Sequence, residues 1–298
     1  MKNNASDIEK IINKFMPTAK GFQQDILSAM NYAFSAGGKR LRPMMMKLCY
    51  DMFLIESEEY NEEIIGPYMA AIEMIHTSSL IHDDLPALDN DELRRGKPTV
   101  HIKFGEDVAI LAGDGLLNFA YETAAKVFTK KPGDKGIEKA FSVLASKSGV
   151  YGMLGGQALD VVMTGKRLTD AQLDYIYLNK TAALIECSMM VGAYLAGADD
   201  TAVKMLENAA RAVGIAFQVQ DDILDVKGDE EIIGKPIHSD EKNDKYTYVT
   251  IHGMEKAKRY VKELSDKANE ILRGMEVSND SARDELCELI SLLIDRDR

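Results

Sequence analysis

The chain has 298 residues, of which 46% are hydrophobic, so it can bury a core the size of one large domain or two ordinary ones. Its formal net charge of −12 argues against nonspecific nucleic-acid binding, which draws on a surplus of Lys and Arg facing the phosphate backbone. Any anion that the protein binds must therefore meet positive charge that is concentrated locally.

The predicted secondary structure is helical from end to end. Apolar residues recur at helical spacing in amphipathic segments at both termini, from Ile8 to Met16 and from Leu286 to Ile294. Between them the pattern predicts helices near 22–36, 42–55, 61–83, 105–128, 135–162, 170–197, 201–226 and 246–273. Strand signals are weak because alternating runs of β-branched or aromatic residues are rare. We therefore expect an all-α protein, and since no linker divides it, residues 1–298 are predicted to form a single domain.

The segment 181–198 is the longest apolar stretch and approaches the length of a membrane span. Glu186 interrupts it and Asp199 and Asp200 follow it, which favours a buried core helix. No transmembrane segment is therefore expected. The polar N-terminal stretch 1–14 lacks the apolar core of a secretory signal, and this predicts a cytoplasmic protein.

The three cysteines are odd in number and far apart, at Cys49, Cys187 and Cys287, each in apolar surroundings. This pattern is typical of core residues in a reducing compartment. A disulfide framework or a zinc site would need paired or clustered cysteines.

Two aspartate clusters are the most informative feature of the chain. The first consists of Asp83, Asp84 and Asp89, and the second of Asp221, Asp222 and Asp225. Six carboxylates on apolar helices would repel one another and be costly to desolvate, so shared divalent cations are the natural resolution. Oxygen-only ligands favour Mg²⁺ or another hard cation. A solvated acidic face is the alternative for either cluster alone.

Local geometry supports the metal interpretation of both clusters. Asp221 and Asp225 are four residues apart and share one face of a helix, with Asp222 on the adjacent flank. In the first cluster, Pro86 disfavours the helical conformation at the preceding residue and turns the chain before Asp89. The third carboxylate is therefore expected to come from a bulge.

Basic residues accompany the first cluster. The turn 37–43 contains Lys39, Arg40 and Arg42, and Arg94 and Arg95 follow the acidic cluster within a few residues. The planar fork of arginine suits bidentate contact with phosphate oxygens. Surface charge balance is the alternative for each basic run.

Two further sites carry charge or a titratable ring inside predicted helices. His76 lies nearly two turns before Asp83 on the same face, at a distance suited to a second phosphate, although a core histidine is an equal alternative. Lys180 and Thr181 lie in a long apolar helix, and the cost of burying an unpaired ammonium predicts an anionic partner there.

Metal-binding carboxylates with separate basic patches indicate a diphosphate substrate whose leaving group is neutralised by Mg²⁺. The chain resembles the bacterial-type trans-prenyl diphosphate synthases of the farnesyl diphosphate synthase family. The matching segments are Gly37 to Pro43, Glu73 to Lys97, Ala112-Gly113-Asp114, Gly155-Gly156-Gln157, Lys180-Thr181, Gly214 to Asp225, and Gly234-Lys235 with Asp240. The resemblance implies a single helical bundle around a deep central cavity, and a homodimer.

The resemblance also implies the roles of individual residues. Mg²⁺ on the allylic diphosphate would be held by Asp83, Asp84, Asp89, Asp221, Asp222 and Asp225. The allylic substrate would bind Arg94, Lys180, Thr181, Gln218, Lys235 and Lys245, and isopentenyl diphosphate would bind Lys39, Arg42, His76 and Arg95. Loss of diphosphate would give an allylic cation that isopentenyl diphosphate attacks, while the charged stretch from Lys227 to Asp244 closes over the site.

The length of the product remains open between two outcomes. Relatives that stop at fifteen carbons commonly carry an aromatic residue five positions before the first aspartate, where this chain has Ser78, followed by Ser79. The whole-chain resemblance favours farnesyl diphosphate, whereas the small cavity floor favours geranylgeranyl diphosphate. Met74, Ile75, Leu116 or Phe119 are the alternative residues that could form the floor.

Two other functional classes remain as alternatives. A class I terpene cyclase shares the metal-triggered ionisation but does not need the isopentenyl diphosphate set. A non-catalytic subunit would be expected to lose carboxylates from one cluster, and this chain keeps both. A Ca²⁺-binding module is disfavoured because neither cluster matches the twelve-residue EF-hand loop.

Overall fold

The structure is a computed structural model that describes residues 2–55, 60–227 and 246–294. The described α-helices are α1 (Lys2–Asn13), α2 (Gln24–Phe34), α3 (Leu41–Phe53), α4 (Glu62–Asp83), α5 (Val100–Phe104), α6 (Glu106–Ala125), α7 (Lys135–Ser148), α8 (Met153–Met163), α9 (Asp170–Ile176), α10 (Ala183–Leu195), α11 (Asp200–Lys227), α12 (Tyr248–His252), α13 (Met254–Arg273) and α14 (Asp280–Ile294). A 3-10 turn, Lys126–Thr129, follows α6, and a π-helical turn, Tyr177–Ala182, joins α9 to α10. The predicted all-α class is confirmed.

The chain folds into two compact units. Unit 1 contains Met1–Lys47 and Asn61–Phe141, and unit 2 contains Leu48–Tyr60 and Ser142–Arg298. The first acidic cluster and its basic neighbours belong to unit 1, and the second cluster belongs to unit 2. The single domain expected for residues 1–298 stays a prediction.

Helix α4 forms the core of unit 1. The Asn61 side chain caps its N-terminus by accepting the backbone N–H of Glu63, and apolar residues are buried on all sides of the helix. It packs against α6, where a Cβ on Gly113 would overlap the ring of His82. The helix ends at Asp83, shortly before Pro86.

Helix α10 is the corresponding buried element of unit 2. All of its residues from Ala183 to Ala193 are buried, and the carboxylate of Glu186 accepts from Lys147 and Arg211. The predicted core helix is confirmed. Within the described ranges, no helix combines the length and the apolar character needed to cross a membrane. The three cysteines are buried and free, as predicted.

The predicted helices 135–162 and 246–273 are each wrong in one respect, because both are interrupted. The first breaks between α7 and α8, where Gly152 has φ −129° and ψ −131° and a Cβ would overlap the carbonyl oxygen of Lys147. The second breaks at Gly253, whose φ of 84° is a left-handed value. In both cases a single glycine permits a conformation that helical periodicity does not reveal.

Two small elements were not predicted. Strands β1 (Leu93–Arg94) and β2 (Lys97–Pro98) form an antiparallel hairpin in which Arg94 pairs with Lys97. The short helix α5 follows it. Arg95 and Gly96, the two residues of the hairpin loop, both have positive φ, at 54° and 74°. Two positive φ values are typical of a type I′ turn, which matches the twist of the flanking strands.

Candidate functional site

The first acidic cluster lies where α4 ends. Asp83 is the last residue of the helix, and the chain then turns through Pro86 so that the backbone N–H of Asp89 donates to the carbonyl of Asp83 at 2.9 Å. Asn90, with φ 51°, donates to the carbonyl of Leu85 at 3.2 Å and closes the same turn. The predicted bulge is therefore present, and it places the backbones of Asp83 and Asp89 side by side.

Asp84 lies between these two residues but is buried, and it faces Arg94. Arg94 Nε lies 2.9 Å from one carboxylate oxygen of Asp84, and Nη2 lies 2.5 Å from the other. Burial raises the pKa of the Asp84 carboxyl, and the hydrogen bonds from Arg94 oppose that rise. Asp84 therefore connects the end of α4 to the hairpin.

Arg95 occupies the hairpin loop and contacts the glycine turn. Its guanidinium donates to the carbonyl of Gly37, and a Cβ on Gly38 would lie 2.7 Å from Arg95 Nη1. Gly38 also has φ 138°. Glycine at this position therefore permits both the backbone conformation and the close approach of Arg95.

The three cations of the glycine turn have different surroundings. Lys39 is exposed, whereas Arg40 is buried and binds the carboxylates of Glu9 and Glu73 at 2.6 to 2.9 Å. Arg42 is half-buried, and its Nε has no hydrogen-bond partner in the part of the chain that the structure describes. Arg40 thus anchors the turn through carboxylates of α1 and α4, while Arg42 keeps an unsatisfied donor.

His76 lies among these arginines. Burial, together with the positive charges of Arg42 and Arg95, holds the pKa of His76 well below its usual value. Burial also lowers the pKa of Arg42, as does the charge of Arg95. Burial and the charges of Arg40 and Arg94 lower the pKa of Arg95, and the charge of Glu73 opposes both shifts. The ring is therefore neutral near pH 7 and faces an excess of positive charge.

The second acidic cluster lies on α11 of unit 2. Asp221 is half-buried, and Asp222 and Asp225 are buried. Asp222 accepts hydrogen bonds from the Tyr177 hydroxyl, from Gln218 Nε2 at 3.3 Å and from the backbone N–H of Tyr248 at 3.0 Å. These three protein donors therefore fix the orientation of the Asp222 carboxylate. Its role as a metal ligand stays a prediction.

The π-helical turn carries Lys180 and Thr181. Lys180 Nζ lies 2.6 Å from Oδ2 of Asp160 on α8, and Thr181 Oγ1 donates to Oε1 of Gln218 at 2.7 Å. Asp160 therefore supplies the anionic partner that the sequence predicted for Lys180. A sequence search could not single it out, because one carboxylate on an amphipathic helix has no distinguishing pattern.

Two glycines allow neighbouring helices to reach this turn. A Cβ on Gly156 of α8 would overlap the backbone nitrogen of Lys180, and one on Gly214 of α11 would overlap Ala182. Each contact joins a different helix to one end of the turn. The glycines thus set the approach of both helices to the residues Lys180 to Ala182.

The residues predicted to form the cavity floor are small and bonded to their own helix. Ser78 is 3% exposed and its hydroxyl donates to the carbonyl of Ile75 at 2.8 Å, and Ser79 donates to the carbonyl of His76 at 2.8 Å. Both hydroxyls are therefore satisfied locally and leave little side-chain volume on this part of α4. Lys235, Asp240, Lys245 and almost all of the stretch predicted to close the site lie outside the described residues.

The donor chemistry fits a hard divalent cation. In the described part of the chain, no group of three or more His, Cys, Asp or Glu side chains is arranged as a ready-made metal site. Mg²⁺ usually binds one or two carboxylates together with substrate phosphates and waters, so it does not require such a cage. Each acidic cluster offers carboxylate oxygens only, which suits that mode.

Comparisons with known proteins identify the family of the chain. Residues 23–289 match the Polyprenyl synthetase family. The chain is 39% identical to a farnesyl diphosphate synthase of Geobacillus stearothermophilus over 95% of this chain and 93% of the relative. It is 45% identical to a chloroplastic geranylgeranyl pyrophosphate synthase of Capsicum annuum, over 84% and 67% respectively. A geranyltransferase from Helicobacter pylori, solved in complex with magnesium and isoprenyl diphosphate, superimposes with a TM-score of 0.87 at 31% identity, over 98% of this chain and 95% of that one.

Proposed function

Because the chain belongs to the polyprenyl synthetase family, we propose that it is a short-chain trans-prenyl diphosphate synthase that makes farnesyl diphosphate. It condenses isopentenyl diphosphate with an allylic diphosphate, either dimethylallyl or geranyl diphosphate. Both relatives described above are named as synthases of a prenyl diphosphate.

The observation that carries the proposal is the excess positive charge around His76. Among the described residues, Arg40 and Arg94 are neutralised by carboxylates, whereas Arg42 and Arg95 form no ion pair with a carboxylate and have lowered pKa values. A diphosphate group would supply the missing negative charge and the oxygen acceptors. We assign isopentenyl diphosphate to Arg42, Arg95, His76 and Lys39. This set is unnecessary in a class I terpene cyclase.

We assign Mg²⁺ to the two acidic clusters, with Asp83, Asp89 and Asp221 as direct ligands and Asp84, Asp222 and Asp225 in support. When bound, the metal would neutralise the allylic diphosphate and make it a better leaving group. The protein's own donors to this substrate are Arg94, Lys180, Thr181 and Gln218, with Lys235 and Lys245 predicted from sequence. The Helicobacter pylori relative binds magnesium and an isoprenyl diphosphate, which supports this assignment.

The reaction then requires positioning more than covalent catalysis. The bond between the allylic carbon and its diphosphate oxygen breaks. The double bond of isopentenyl diphosphate then attacks the resulting cation. A proton leaves the adjacent carbon and passes to the departed diphosphate. His76 is neutral, so it acts as a hydrogen-bonding group in the isopentenyl diphosphate site, and the arginines hold the acceptor substrate at the distance that attack requires.

Geranylgeranyl diphosphate is the second candidate product, and one observation favours it. Ser78 is buried and bonded to its own helix, so it adds almost no bulk to the predicted floor. The Capsicum annuum relative is named for that longer product. The proposal further includes a homodimer, as the family resemblance implies, and a cytoplasmic location, to which the three free cysteines are suited.

The test is product identification. Purified protein is incubated with Mg²⁺, isopentenyl diphosphate and, separately, dimethylallyl, geranyl or farnesyl diphosphate, and products are identified by chromatography with mass spectrometry. Farnesyl diphosphate as the end product supports the proposal. Geranylgeranyl diphosphate supports the second candidate. Absence of any condensation product with all three starters, while the protein remains folded, contradicts both.

A further inference from the structure

A chain of hydrogen bonds in unit 2 runs from the π-helical turn through α11 to the start of α12. Beginning at Thr181, it passes through Gln218 to one oxygen of Asp222. The other oxygen of Asp222 accepts from the Tyr177 hydroxyl and from the backbone N–H of Tyr248. A residue assigned to the allylic diphosphate is thus linked, without a gap, to the backbone of α12.

Tyr177 lies where two hydrogen bonds of this network meet. Its hydroxyl donates to Asp222 and accepts from the backbone N–H of Tyr248 at 2.9 Å, so that this N–H is shared between the two acceptors. Asp222 is only 2% exposed, and a buried carboxylate needs donors on both oxygens. Loss of the Tyr177 hydroxyl removes one of the donors to this oxygen.

The hydrogen bonds of Gln218 connect Asp222 to the candidate functional site. Gln218 lies four residues before Asp222 on α11, and its amide is oriented by Asp222 on one side and by Thr181 on the other. Asp221, the proposed metal ligand, is the immediate neighbour of Asp222. An Asp222 side chain that changed rotamer would release Gln218 and loosen the segment that carries Asp221.

We propose that Tyr177 is a positioning residue for the second acidic cluster: its hydroxyl fixes Asp222, and thereby holds Gln218 and Asp221 ready for the allylic diphosphate and its metal. This inference rests on the proposed function. Asp222 acts in it as an oriented acceptor and not as a direct metal ligand. The hydrogen bond to a buried, charged acceptor is the kind that costs most when one partner is removed.

The test uses Tyr177→Phe, which removes one oxygen and keeps the ring. Tyr175→Phe is the matched control, because Tyr175 lies two residues earlier on α9 and its side chain is exposed. Binding of a non-reacting thiolo analogue of geranyl diphosphate is measured by calorimetry with Mg²⁺ present, and binding of isopentenyl diphosphate is measured separately. In Tyr177→Phe we expect the Kd for the analogue to rise about tenfold or more, with isopentenyl diphosphate changed less than about twofold. The control should match the wild type.

A second measurement needs no ligand. Amide hydrogen exchange at Tyr248 should be faster in Tyr177→Phe than in the control, since the shared N–H loses one acceptor. Asp222→Asn provides an independent variant, because one amide oxygen cannot accept from Gln218 on one side and from Tyr177 on the other. We expect that variant to weaken analogue binding about as much as Tyr177→Phe does, whereas Asp221→Asn, which removes a proposed ligand, should lose at least about tenfold more.

Several results would overturn the inference. Unchanged analogue binding in Tyr177→Phe removes the positioning role, and equal weakening of both substrates indicates a merely structural one. If Tyr177→Phe does not fold, Asp222→Asn decides: unchanged analogue binding removes the positioning role, and a loss equal to that of Asp221→Asn makes Asp222 a metal ligand instead. Wild-type protein that binds the analogue but forms no product contradicts the proposed function and leaves this inference standing.

Discussion

The Arg94 guanidinium and the Asp84 carboxylate form a bidentate ion pair, with nitrogen–oxygen distances of 2.9 and 2.5 Å, that closes the loop delivering Asp89. Asp84 is the C-cap of α4 and Arg94 lies in β1, so the pair joins the two ends of the bulged segment. The middle carboxylate of the first cluster is therefore engaged by Arg94, which fits its proposed role in support of the metal site.

Replacement of Arg94 by Lys should weaken this closure. Lysine keeps the charge but cannot form two parallel hydrogen bonds to one carboxylate. Since Arg94 is about one third exposed, we expect a loss of about 1 to 2 kcal/mol in the free energy of unfolding, measured by urea denaturation. Lys97→Arg on the partner strand is the control. A variant as stable as the wild type would show that the pair contributes no net stability.

Asp83→Ala and Asp221→Ala should each lower condensation by roughly a thousandfold or more, because each removes a proposed ligand that stabilises charge in the transition state. Circular dichroism should show an intact fold. Asp266→Ala on α13, an exposed carboxylate paired with Lys262, is the control and should keep full activity. Near-normal turnover in either cluster variant would remove the metal assignment.

Arg95→Ala should raise the KM for isopentenyl diphosphate about 10- to 100-fold and change the KM for geranyl diphosphate much less. The reason is that Arg95 lies with Arg42 and His76 in the proposed acceptor site, and charge-assisted bonds to phosphate are among the strong ones. Arg259→Ala, on the exposed face of α13, should change neither constant. Steady-state kinetics that show equal weakening of both substrates would contradict the division of sites.

Ser78→Tyr should shorten the product. The serine is buried, so an aromatic ring at this position must project into neighbouring space, which is the proposed path of the growing chain. Ser78→Ala, which removes only the locally bonded hydroxyl, should leave the product unchanged. Chromatography of extracted products measures both. If Ser78→Tyr folds and yields the wild-type distribution, the floor lies at another residue.

The stability of the protein should depend on His76 below pH 6.5. Its pKa in the folded state is well below the value of about 6.5 expected in the unfolded chain. Below that pH the unfolded chain binds more protons at His76 than the folded protein does. The free energy of unfolding therefore falls as the pH decreases from that value. His76→Gln should be less acid-sensitive. Urea denaturation at several pH values checks this, and parallel curves for the two proteins would disprove it.

The sequence predicted helices well where apolar periodicity is strong. The predicted helix 61–83 is observed as Glu62–Asp83, and its end at the acidic cluster follows from Pro86. Interruptions at Gly152 and Gly253 were not predicted, because a glycine inside a helical pattern is usually tolerated. What the periodicity could not give is the local φ and ψ that a glycine adopts when a neighbouring segment crowds it.

Partners within the candidate site were harder to predict than its members. The sequence grouped Arg40 with the other cations of its turn, whereas the structure buries it against Glu9 and Glu73. Asp160 and Tyr177 were not singled out at all. Each acts through a contact with a residue at least 20 positions away, and such pairings depend on tertiary packing that one sequence does not reveal.

The contacts at Gly156 and Gly214 limit how the second unit could evolve. A methyl group is the smallest side chain that can replace hydrogen, and at either position it already overlaps the π-helical turn. The spacing between that turn and the helices on each side therefore cannot be adjusted by small steps at these two positions. A lineage that needed a wider or narrower separation would have to move a whole helix, which confines gradual adaptation to residues elsewhere in the site.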